Sequence, residues 1–170
     1  SHDFYLFMVF TKGKGTHAID TEKYAIQPGS VFFMAPSEVH SWKLSDDTDG
    51  YILFFNPSFY LMDLKANNLL DLPFYKLENK IRQGLLNKNE VSNILPVIKT
   101  MLNESISDKG NQKNILRSYL DILLLKFDVC FNSLNKKTTS HSSLIPKLES
   151  LIEQHFKEHL PISHYASHLN

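Results

Sequence analysis

The sequence predicts an α+β chain in which a small antiparallel β-barrel comes first and helices follow. Three observations predict it. Up to Asn56-Pro57 the apolar residues fall in short runs punctuated by Gly, Pro, Asn and Asp, the spacing of a barrel or sandwich. Beyond that point they recur every three or four residues, the helical period. A polar tract then separates the last stretch of chain from the rest.

The β-region is organised around Tyr24 to Trp42, YAIQPGSVFFMAPSEVHSW. Pro28 presets φ and Gly29 supplies the positive φ of a type II turn, so the flanking runs are expected to fold back on each other as a hairpin. Val31 to Met34 is apolar at every position, which requires cover on both faces. Phe4 to Phe10 reads as a strand, and Gly13-Lys14-Gly15 lets it reverse and pair with a second from Thr16 to Asp20. Lys23 to Ile26 pairs back on that one. His40 to Leu44 and Tyr51 to Phe55 complete six strands, joined by a polar hairpin loop from Ser45 to Gly50.

In the helical part, Ser58 caps a short helix entered at Phe59. Val91, Ile94, Leu95, Ile98, Met101, Leu102 and Ile106 mark a second helix, with Pro96 tolerated in a first turn or at a kink. The third, from about Gln112 to Leu134, carries Leu116, Leu120, Leu123 and Phe127 on one broad stripe that Ile122, Leu124, Leu125 and Val129 widen. Such breadth fits either a dimerisation surface, expected through Leu116, Leu120, Leu123 and Phe127, or a helix buried in its own chain. The predicted divisions are 1–57 for the barrel, 58–134 for the helical region, 135–143 for the linker and 144–170 for the start of another helical domain.

Composition narrows the function. With 42% hydrophobic and 12% aromatic residues the chain can fold around a core, while 18 basic against 18 acidic residues leave no net charge to attract nucleic acid by itself. Cys130 is the single cysteine, which removes an intrachain disulfide and favours a cytoplasmic location. No apolar run is long enough to span a membrane, and the first residues lack the pattern of a signal peptide.

No nucleophile motif or phosphate loop is present. His17 and His40, with Glu22 or Glu38 as oxygen donors, could at most form a degenerate metal site, and no cofactor is expected. His155, His159, His164 and His168 straddle a proline-containing junction and read as solvated. Period-two alternation places His40 and Trp42 on one strand face, and the cost of exposing Trp turns that face inward. Lys12 shares parity with Leu6 and Met8, so these five residues form the candidate ligand-contacting set.

FYLFMVFTKGKGTHAID, PGSVFFMAPSEVHSW and GYILFFNPSFY, in that order, resemble the cupin-like effector-binding barrel of AraC/XylS-family transcription regulators. LESLIEQHFKEHLPISHYASHLN is similar to the start of that family's helix-turn-helix domain, with its turn and recognition helix not included. The resemblance implies a non-enzymatic homodimer in which a small effector, a sugar or small organic acid, controls how the DNA-binding domains are presented. It also implies a cationic effector contact near Lys12. The competing expectation is a small cupin enzyme or sugar-binding barrel.

Overall fold

The structure, a computed structural model, describes residues 3–60, 69, 72–75, 80–107 and 110–135, with side chains as far as 131. Residues 1–132 make one compact unit and 133–170 a second. Beyond residue 135 the second unit lies outside the described residues. So do the expected linker, the helix-turn-helix fragment and the four C-terminal histidines.

Among the described residues, seven strands and three helices follow in the order β1 (Tyr5–Lys12), β2 (Gly15–Ile19), β3 (Glu22–Ile26), β4 (Ser30–Met34), β5 (His40–Leu44), β6 (Asp49–Phe55), α1 (Pro57–Tyr60), β7 (Gln83–Leu85), α2 (Lys88–Ser105) and α3 (Gln112–Asn135). The strands form two antiparallel sheets, β6-β1-β4-β7 and β3-β2-β5. The α+β expectation therefore holds, with antiparallel sheets first and helices after them.

The centre of the four-stranded sheet is covered on both sides. β4 is buried at all five positions: Phe32 and Met34 join Leu6, Met8, Phe10, Ile19 and Ile26 in a core between the sheets. Val31 and Phe33 join Phe7, Val9 and the helices in the larger core behind. Phe33 stacks on Phe74 at 4.1 Å and meets Phe127 edge-on at 5.2 Å, geometries that aromatic pairs prefer. α2 starts at a capping box, where the Asn87 side chain accepts from Glu90 N and the Glu90 side chain accepts from Asn87 N. Both pairings satisfy N–H groups that a helix start leaves bare. Pro96 lies inside α2.

Three hairpins expected from the turns are not hairpins. The Pro28-Gly29 turn forms as read, with Gly29 at φ 90° and Ser30 N donating to Gln27 O at 2.9 Å. Yet β3 and β4 belong to different sheets. Gly29 N donates to Phe10 O at 2.8 Å and Gly29 O accepts from Leu86 N at 2.9 Å, so the turn is tied to the other sheet. β4 then pairs with β1, Phe7 opposite Phe33. β1 and β2, and likewise β5 and β6, also part company: each turn carries the chain from one sheet to the other. The expected β2–β3 pair does form, with His17 opposite Tyr24. β7 was not foreseen. Its three residues carry a central Gly84 where any Cβ would run into the Phe131 ring, so close packing and not strand propensity selects the residue.

Candidate functional site

The three-stranded sheet places side chains in rows. Trp42, His17 and Tyr24 lie directly across β5, β2 and β3, and His40, Ile19 and Glu22 form the next row. Ile19 belongs to the core between the sheets, and Phe32 of the facing sheet meets His17 edge-on at 4.6 Å. Both rows therefore face inward. The inner surface is polar and aromatic on this sheet and apolar on the other.

His17 is fully buried, and its Nε2 lies 3.2 Å from Nδ1 of His40, one ring donating to the other. His17 Nδ1 is also buried and has no hydrogen-bond partner among the described residues. Whichever tautomer His17 adopts, one nitrogen is left unmatched, a costly arrangement for a buried polar atom. Burial, reinforced by the neighbouring His40, lowers the His17 pKa to about 4, so it is neutral near pH 7. His40 and Trp42 rings sit 5.1 Å apart, and Trp42 is 5.8 Å from His17. At the end of the row Tyr24 Oη donates to Glu22. Burial and that carboxylate push the tyrosine up to about 12.

Ion pairs hold the loop that delivers His40. Glu38, nearly buried, accepts from Ala35 N at 2.8 Å and pairs with Lys80 and with Arg82 at 3.1 Å. Arg82 also grips Asp20 at 2.9 Å, and Asp20 in turn exchanges bonds with the Val39 backbone. The Val39 N–H, then the arginine, lower the Asp20 pKa.

Leu6 and Met8 are buried between the sheets, whereas Trp42, Leu44, Ile52 and Phe54 remain 42%, 39%, 57% and 66% exposed. All four belong to inner-face positions, on the free edges β5 and β6. The accessible inner surface is therefore the margin between those edges. Lys12 is exposed, and a register shift after Phe10 breaks the alternation that aligned it with Leu6 and Met8. Sequence reasoning missed Ile52 and Phe54 as site residues and offered His17 only as a possible metal ligand beside His40; the closing of two sheets that leaves Ile52 and Phe54 at this margin, and the β2–β5 pairing that sets His17 across from Trp42, have no local signal.

Leu120, Leu123 and Phe127 are buried in the chain's own core and Leu116 packs against it. Ile122, Leu125 and Val129 are exposed apolar residues among the described side chains of α3. Glu38 and Glu22 are engaged elsewhere, and the described residues contain no group of three or more His, Cys, Asp or Glu poised around a metal. No helix among them is long and apolar enough to cross a membrane.

A model of the AraC-like ligand binding domain matches residues 1–112. The fold is similar to that of the AraC-like transcriptional activator CuxR, with TM-score 0.50 and 15% identity over 99% of this chain and 57% of that one. It is also similar to apo ToxT, an alanine variant from Vibrio cholerae strain SCE256, with TM-score 0.49 and 16% identity over 99% of this chain and 62% of that one. The chain thus spans less than two thirds of the length of these solved structures. No match was found among curated protein sequences. With its two facing antiparallel sheets, trailing helices and matched first 112 residues, the chain belongs to the AraC-like ligand-binding domain family.

Proposed function

We propose that the chain is the effector-sensing and dimerisation part of a cytoplasmic, sequence-specific transcription regulator, acting by binding and not by catalysis. The observation that carries this reading is the inner-face row: buried His17 with an unmatched nitrogen, beside the half-buried His40 and the exposed Trp42. An aromatic wall with a few convergent polar atoms is what small-molecule sites are made of. Trp42 stacks on the effector, His40 hydrogen-bonds it, Leu6 and Met8 form the apolar backing, and Lys12 stands at the rim. The ligand class is a sugar or small organic acid. Homodimerisation uses α3, through the face of Ile122, Leu125 and Val129 that its own core leaves uncovered, and DNA is contacted by the C-terminal part of the regulator.

The test is a thermal-shift screen of sugars and small organic acids. A ligand at a hundredfold excess over its Kd adds about 2.7 kcal/mol of stability. Trp42→Phe and His40→Gln should each shrink the shift of any hit. If both variants keep it in full, the effector sits elsewhere.

A further inference from the structure

A second concave surface shares Ile52 and Phe54 with the margin described above but is lined by none of His17, His40 and Trp42. Where β6 passes α2 and α3 the molecule carries a trough of about 630 Å³, within the usual size of a small-molecule site. Ile52, Phe54 and Leu102 form its exposed rim, and Phe55, Met101 and Leu120 its buried floor. No described lining residue is charged; Asn56 and Ser105 supply the polar atoms besides a tyrosine.

We propose that this trough is a binding site for an uncharged molecule with an alkyl or acyl chain. A charged ligand would lose its hydration here and find no opposite charge among the described lining residues. A peptide could add to the free edge of β6, but its backbone groups entering the trough would meet few partners. A second copy is a poor fit, because a two-fold contact sets a surface against itself and a concave one cannot fill its own image. The chain of the ligand lies along Phe54 and Leu102, and its polar end is met by Asn56 or Ser105. Leu116 and Leu120 of α3 wall the trough, and α3 runs on to Asn135, into the second unit that begins at Ser133.

The experiment is a fluorescence titration of the whole chain with N-phenyl-1-naphthylamine, an uncharged apolar probe, displaced by 1-decanol or by decanoate at pH 8. Saturable binding is expected, with decanol displacing the probe at a concentration at least about tenfold lower than decanoate, by the cost of desolvating a carboxylate. Leu102→Glu and Ser105→Glu alter exposed positions. Each should weaken the probe at least about tenfold while leaving the melting temperature in place. Trp42→Phe and His40→Gln should leave probe affinity unchanged, which separates this site from the effector row. Full affinity in both Glu variants overturns the proposal, as does probe loss in the Trp42 and His40 variants alone. Absence of probe binding, with Leu102→Glu converting a dimer to a monomer in sedimentation, overturns it in favour of an interface between copies.

Discussion

The two sheets face each other but differ in what they do with their faces. In the four-stranded sheet the central strands β1 and β4 are apolar on both faces, because helices cover one side and the other sheet covers the second. The three-stranded sheet has one covered face, and on it stand Trp42, His17, His40, Tyr24 and Glu22. The centre of the first sheet, β1 and β4, can only be packed, since a polar side chain there would be desolvated with nothing to bond. The second can accommodate histidines because its edge at β5 remains open. The proposed effector row thus stands on the sheet with fewer strands and less hydrophobic sequence, which packs against the more apolar one.

The sharpest way to break that contrast is to put a charge behind the four-stranded sheet. Leu123 is fully buried there, so Leu123→Asp should lose at least about 3 kcal/mol, the loss of packing together with an unpaired buried carboxylate. Circular dichroism should show a lowered melting temperature or no folded chain. A fully stable monomer instead would mean that Leu123 contacts a second copy, as the stripe on α3 first suggested.

A smaller effect is expected from acid, and it belongs to the other sheet. His17 has its pKa lowered from 6.5 to about 4 by burial and by His40, so the unfolded chain binds the proton more readily than the folded one. Stability should therefore fall as the pH drops from about 6.5 towards 4, and be fully present above that window. Melting curves of His17→Gln should be flatter across the same range. An unchanged slope would place the acid sensitivity on another group.

The smallest effect on stability is expected at Trp42, which is 42% exposed. Trp42→Phe should cost under about 1 kcal/mol while still diminishing an effector-induced shift. Should it instead unfold the chain, Trp42 is packing and the open margin is not where ligand stands.

Much of this molecule is determined by sequence alone, because turns, caps and periodicity act over a few residues. Pro28-Gly29 makes its turn with the expected positive φ. Val31 to Met34 is doubly buried, and the stripe from Gln112 is one helix ending at Asn135. His40 and Trp42 share an inward face by alternation, and that too was legible. What only the tertiary structure decided is which strand each strand joins. The turns at Gly13, Gly29 and Ser45 to Thr48 reverse the chain equally well within one sheet or between two; covering Phe33 on one side and Phe32 on the other required two layers. The same choice set the stripe of α3 against the chain's own core and brought His17 beside His40, although 23 residues separate them. Contacts between residues so far apart depend on which strands pair and how layers close, and no short-range pattern encodes that.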